Sequence, residues 1–127
     1  MNKEKLGIEL SHKRGERLIY GLTSYAVKSI EEGRSSYPVA NLLVYCKELS
    51  MQMTLTDLAT EETYSVNSIQ EVHDTLQMLM KRWKVDAKII YRKTGLHYTP
   101  FKGKNGSLSI VTMLAMCDVL HCELDFV

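Results

Sequence analysis

The stretch Leu42-Leu-Val-Tyr-Cys-Lys-Glu-Leu-Ser-Met-Gln-Met-Thr-Leu55 returns, altered, as Met113-Leu-Ala-Met-Cys-Asp-Val-Leu-His-Cys-Glu-Leu-Asp-Phe126. At a constant offset of 71, Leu42 matches Met113, Leu43 matches Leu114, Cys46 matches Cys117 and Leu49 matches Leu120. Met51 with Cys122, Met53 with Leu124, and Leu55 with Phe126 complete the series. In each stretch Leu42, Leu43, Cys46 and Leu49, or their counterparts, recur at helical spacing, so one helix face is apolar. The period then changes to two. Met51, Met53 and Leu55 alternate with Gln52 and Thr54, and Cys122, Leu124 and Phe126 alternate with Glu123 and Asp125. That alternation predicts a short half-buried strand. A lone strand is unstable in water. The two strands are therefore expected to pair with each other, joining two copies about a pseudo-twofold axis.

The repeat extends upstream. Tyr25 through Gly33 lies against Tyr98 through Gly106 at an offset of 73, and Gly21-Leu22 matches Gly95-Leu96. Units are expected over residues 1–58 and 69–127. The polar stretch between them, residues 59–68, reads as a linker.

Thr23-Ser-Tyr-Ala-Val-Lys-Ser-Ile-Glu-Glu-Gly33 has the marks of a short capped helix. Thr23 or Ser24 can accept from an orphan N–H at its start. Gly33 can take the left-handed conformation that ends it. Arg34 to Tyr37 then form a loop, and Pro38 opens the next helix. Over residues 21–56 this order resembles the lambda-repressor/Cro-like (XRE-type) helix-turn-helix family. A weaker likeness, carried mostly by the repeat, covers residues 73–126. The fold expected is mostly α: two tandem helix-turn-helix-like units related by an internal repeat, each ending in a short β-strand.

The sequence departs from the family pattern in two places. Only residues 3–20 are available for the two helices that should precede the first recognition helix. Lys5 to Ser11 can form one, with Leu6 and Leu10 on one face. Arg14 to Tyr20 would be a cramped second, and Gly7 and Gly15 each weaken a helix by about 1 kcal/mol relative to alanine. The second unit has more room. Ile69, Val72, Leu76, Leu79, Met80 and Trp83 make an apolar helical stripe, and residues 85–94 supply another helix that Gly95 breaks. Its recognition segment is less regular, since Gly103 leaves about one good turn after Pro100. Strands over residues 88–92, 96–101 and 107–112 are the rival reading, because Asn105-Gly106 is a hairpin signal.

The resemblance implies sequence-specific binding to double-stranded DNA by a small, repressor-like transcriptional regulator reading two half-sites. A recognition helix enters the major groove, where base-pair edges are distinguishable. By position, the DNA-binding candidates in the first unit are Thr23, Ser24, Tyr25, Lys28, Ser29 and Arg34. In the second they are His97, Tyr98, Thr99, Lys102 and Lys104. Plain solvent exposure of Tyr25 and Lys28, with Thr23 only a cap, is the alternative at these sites. A homodimer, or a protein partner such as a toxin, is compatible with the same scaffold. An interaction module that binds little DNA is the competing reading.

Charge is uneven along the 127 residues despite a formal net charge of +1. Residues 81–104 hold eight basic groups against Asp86 alone, whereas residues 47–80 hold one against six acids. A basic segment of this kind points to an anionic partner. Lys81, Arg82, Lys84, Lys88, Arg92 and Lys93 form its expected basic surface. No apolar run approaches the roughly 20 residues of a bilayer span, and the N-terminus lacks the apolar stretch of an export signal. Cys46, Cys117 and Cys122 are odd in number and lie in apolar patterns, which suits reduced thiols in a cytoplasmic protein. The histidines lack HExxH spacing, and Cys117, His121 and Cys122 have no evident fourth zinc ligand. No phosphate-binding glycine motif is present. The sequence therefore predicts neither an enzyme nor a metal or cofactor site.

Overall fold

Helix starts in this chain are written in its polar residues. The computed structural model describes residues 2–34, 36–98 and 108–127. Asn2 accepts from Lys5 N–H at 2.8 Å and starts α1, Lys3–Arg14. Thr23 accepts from Ala26 N–H at 3.1 Å and starts α2, Ser24–Glu32. Ser68, Asp86 and Ser109 do the same for α4 (Ile69–Arg82), α5 (Ala87–Thr94) and α6 (Ile110–Leu120). Each cap satisfies a donor that the first helical turn leaves without an intrahelical partner. The exception is α3, Val39–Glu48, which begins after Pro38 and has no side-chain cap. There the Val39 N–H donates to the Leu108 carbonyl at 2.8 Å instead.

Among the described residues three strands accompany the helices: β1 (Met53–Asp57), β2 (Thr63–Ser65) and β3 (Cys122–Phe126). They form one antiparallel sheet in the order β2-β1-β3. The expected pairing of the two repeated strands is therefore present. Met53 faces Phe126, Thr54 faces Asp125 and Leu55 faces Leu124. Thr54 and Asp125 are 71 residues apart, so this pair maps onto itself when the copies are exchanged. Met53–Phe126 likewise maps onto Leu124–Leu55.

A second contact obeys the same exchange. Pro38 and Ser109, equivalent at the offset of 71, form an isolated antiparallel bridge. Val39 N–H donates to Leu108 O at 2.8 Å, and its counterpart Ile110 N–H donates to Tyr37 O at 2.9 Å. The helices follow suit, with α1 resting on α6 and α4 on α3. One continuous core results. Leu6, Leu10, Ile30, Leu42, Tyr45, Met53 and Leu55 join Leu76, Leu79, Ile90, Ile110, Met113, Met116 and Leu124 in it.

Several expectations need correction. No helix forms over Arg14 to Tyr20. Helix α1 runs on to Arg14 and stops where Gly15 takes φ 57. Residues 15–23 then cross to α2 without regular structure. The stretch read as a linker contains β2, which pairs with β1 through Thr54–Ser65, Leu55–Tyr64 and Thr56–Thr63. The strand alternative fails over residues 88–92, which lie in α5, and over residues 110–112, which open α6. Trp83 ends the α4 stripe but stays 39% exposed. The Asn105-Gly106 turn lies outside the described residues.

Gly7 has a use that its weak helix propensity conceals. A Cβ on Gly7 would stand 2.6 Å from the Ile30 carbonyl oxygen and closer still to that of Glu31. Helix α1 can approach the backbone of α2 only because this side chain is missing. Both carbonyl oxygens are backbone atoms, which cannot rotate away. Gly7→Ala is expected to destabilise the fold by about 1–3 kcal/mol despite alanine's better helix propensity. Urea unfolding of the two proteins checks this. An unchanged or raised midpoint would mean that the helices do not approach so closely.

Candidate nucleic-acid interface

The exposed face of α2 follows from its buried one. Ser29, Ile30 and Gly33 are buried and Ala26 is partly covered, which is one helical stripe. Thr23, Ser24, Tyr25 and Lys28 are exposed, and Tyr25 is 69% accessible. Ser29 was expected to face a groove, and this is corrected. It belongs to the inward stripe at 3% exposure, and its hydroxyl meets no partner among the described residues.

A polar network fixes the angle of this helix. Arg14, at the end of α1, donates to both carboxylate oxygens of Glu31 at 2.5 and 2.9 Å. Tyr45 of α3 donates from its hydroxyl to Glu31 and lies 3.0 Å from the Leu10 carbonyl. Three helices are thus joined at one carboxylate. Burial alone would raise the Glu31 pKa, but the Arg14 guanidinium and the Tyr45 hydroxyl hold it below the ordinary carboxylate value. The same contacts raise Arg14 above its ordinary value, so the two shifts agree in direction. Glu32, the other acid of α2, is ion-paired with Arg34. Both carboxylates that would repel a phosphate therefore have a cationic partner. Sequence reasoning missed this network. Its one signal was Arg14 standing four residues after Leu10, on the core-facing side of α1.

The second unit divides its predicted residues differently. Tyr98, the repeat counterpart of Tyr25, is buried at 4% exposure, a correction to its groove-facing role. Its hydroxyl lies 2.8 Å from His73 Nδ1, and the two rings stack with centroids 5.7 Å apart. His73 occupies the α4 position that Gly7 occupies in α1, counted from the capping residues Ser68 and Asn2. The close approach that Gly7 allows is replaced there by a side-chain hydrogen bond. His97 is exposed and stacks on Tyr91 of α5 at 4.4 Å. Thr99, Lys102 and Lys104 lie outside the described residues.

Of the basic surface, Lys81, Lys84, Lys88, Arg92 and Lys93 are exposed. They share the α4–turn–α5 segment, and Lys88 and Arg92 are one helical turn apart on α5. A shallow open depression at the α5 end of this surface is lined by Lys88, Tyr91, Arg92 and His97. Arg82 is the exception and is corrected from surface cation to structural one. It donates to Asp57 Oδ2 at 2.8 Å and to the Tyr64 hydroxyl at 3.1 Å, binding α4 to the β1–β2 hairpin. Burial would raise the Asp57 pKa. Arg82 and the backbone N–H groups of Ala59 and Thr60 outweigh it and hold the group below its ordinary value.

Among the described residues no helix is long and apolar enough to cross a membrane, and no three His, Cys, Asp or Glu side chains are grouped to hold a metal ion. Comparison with protein-family models, with curated proteins and with solved structures finds no match.

Two outcomes follow. Ser29→Ala removes a buried hydroxyl without a described partner. It should therefore leave stability unchanged or slightly raised, within about 0.5 kcal/mol, when measured by urea unfolding. A large loss would show that the hydroxyl has a strong partner. The second concerns acid. Glu31 and Asp57 have folded-state pKa values below their ordinary 4.5 and 3.8. Their stabilisation is full above those values and is lost as pH falls through the lowered ones. Thermal midpoints should therefore drop steeply below about pH 4.5. Glu31→Gln should be less stable at neutral pH and flatter in that acid range. An equally steep acid slope in the variant would contradict the role given to Glu31.

Proposed function

We propose that the chain is a sequence-specific double-stranded DNA-binding protein, a small transcriptional regulator built from two helix-turn-helix-like units. The observation that carries the reading is the outer face of α2. A nine-residue helix with a capped N-terminus is braced from behind by Arg14, Glu31 and Tyr45. Its outer face offers Ser24, Tyr25 and Lys28, while Arg34 follows its last turn. In the family that residues 21–56 resemble, this element lies in the major groove. Ser24, Tyr25 and Lys28 would then reach base edges, and Thr23 and Arg34 would meet phosphates. The Arg34–Glu32 pair is exposed on both sides, so exchanging it for a phosphate costs little.

The exposed cations from Lys81 to Lys93 would supply backbone contacts. Contacts of this kind dominate affinity and make it depend on salt. The α4–α5 pair takes the place of the leading helices of the second unit's helix-turn-helix. Two units in one chain would serve as the two halves of a repressor dimer. Half-sites read by units on the same side would be spaced by about 34 Å.

A protein-interaction module, antitoxin-like in kind, is the second reading. The observation favouring it is the irregular segment 15–23, where the first unit lacks its second helix and Leu18 and Tyr20 are 66% and 81% exposed.

Fluorescence anisotropy with mixed-sequence duplex DNA across a salt series separates the two. DNA binding predicts a linear fall of log affinity with log salt. Lys28→Ala combined with Arg34→Ala should reduce the slope by about 2, as should Lys88→Ala with Arg92→Ala. Selection from random duplexes should then return a sequence motif. No binding at low salt would refute the DNA reading and leave the interaction module.

A further inference from the structure

The junction between last helix and strand occurs twice, and only one of the two carries a pair of thiols. After α3, Ser50 takes φ 55, its N–H donates to Lys47 O at 3.1 Å, and Met51 N–H donates to Cys46 O at 2.9 Å. After α6, His121 takes φ 52 and its N–H donates to Asp118 O at 3.4 Å. In this helix termination the side chain four residues before the left-handed residue meets the one directly after it. The first junction thus sets Cys46 beside Met51. The second sets Cys117 beside Cys122. Both thiols line a cavity of about 220 Å³ with Leu114, Asp118 and Glu123, and the cavity is open to solvent on one side.

We propose that Cys117 and Cys122 are a two-electron redox couple that closes to a disulfide when a peroxide oxidises it. The proposal is independent of DNA binding. The neighbouring Cys117 S–H holds the Cys122 thiol below its ordinary value, against burial and the nearby Asp57 and Asp118 carboxylates. Cys117, beside Cys122 and buried, is raised. Cys122, the more accessible of the two thiols, is the attacking thiolate. Its sulfur takes one peroxide oxygen, the O–O bond breaks, and the departing hydroxide leaves as water after taking up a proton. The Cys117 sulfur then displaces the hydroxyl of the resulting sulfenic acid. An S–S bond forms, and the Cys117 proton leaves with that hydroxyl as a second water. Two electrons pass from the sulfurs to the peroxide. Cys46 is an internal comparison. Its neighbour Met51 cannot form a bridge, and burial pushes its own thiol up to about 12.

The test uses the full chain, treated with hydrogen peroxide without denaturant, then unfolded, alkylated with N-ethylmaleimide and digested with trypsin. Residues 105–127 contain neither Lys nor Arg, so both thiols fall in one peptide. The expected product is that peptide, unlabelled and lighter by two hydrogens, with Cys46 fully labelled. Dithiothreitol should restore both labels. Cys46→Ser should leave the product unchanged, and Cys117→Ser should abolish it. If Cys117→Ser does not fold, the wild-type peptide map decides alone. A peptide that keeps both labels, a bridge to Cys46, a bridge between two chains, or oxidation of Cys122 without a bridge each overturns the proposal.

Discussion

The antiparallel pairing of β1 with β3 is the constraint on which the rest depends. Each strand has only one apolar face and is too short to stand alone. Met53 and Leu55 find their cover partly in Leu124 and Phe126 of the other copy. Once Thr54 faces Asp125, the exchange of copies is fixed, and the bridge between Pro38 and Ser109 obeys it. The Val39 N–H, left without a side-chain cap, is satisfied across this bridge rather than within its own unit. Helix α1 then crosses over to pack on the other copy's last helix, and α4 packs on the last helices of both. Neither unit completes its core by itself. The copies are therefore better described as two interlocked halves than as beads on a linker.

The same frame explains why the two halves diverge in front of the sheet. In the first, Gly7 lets α1 touch the backbone of α2, and the Arg14–Glu31–Tyr45 network holds that contact in register. No second helix is interposed. In the second, His73 stands at the position of Gly7 and reaches Tyr98 by a hydrogen bond, while α5 is inserted between α4 and that residue. An extra helix in one half is compatible with the paired register of β1 and β3, because that register constrains only the elements that touch it. On the proposed reading, the half without the extra helix presents the better-defined groove helix, and the half with it carries most of the exposed positive charge.

Much of the scaffold was legible in the sequence. Thr23 and Gly33 mark both ends of α2 because one side-chain oxygen and one missing Cβ do local work there. The switch from helical to twofold spacing after Leu49 and Leu120 located the paired strands, since burial on one face leaves that imprint. Long-range partners were harder to see. Nothing local to Glu31 shows Arg14, 17 residues earlier, turning towards it. Ser29 and Tyr98 were misplaced because position in a motif does not report which side of a helix, or of a repeat, faces the core. Arg82 looked like one more cation in a basic run, yet the buried Asp57 carboxylate claims it. Strand β2 escaped notice because Thr63-Tyr64-Ser65 is short and polar at an edge.

The most direct test of this account is the register at the axis, read in solution by nuclear Overhauser effects between α-protons. Gln52 and Val127 exchange both backbone hydrogen bonds at 2.9 Å, so Met53 and Phe126 form the next, non-bonded pair. In such a pair the Cα atoms are about 4.5 Å apart and the α-protons are close. The account predicts strong α-proton cross-peaks for Met53 with Phe126 and for Leu55 with Leu124 in the full chain. Their absence, or cross-peaks shifted to other partners, would contradict the axis and everything arranged around it.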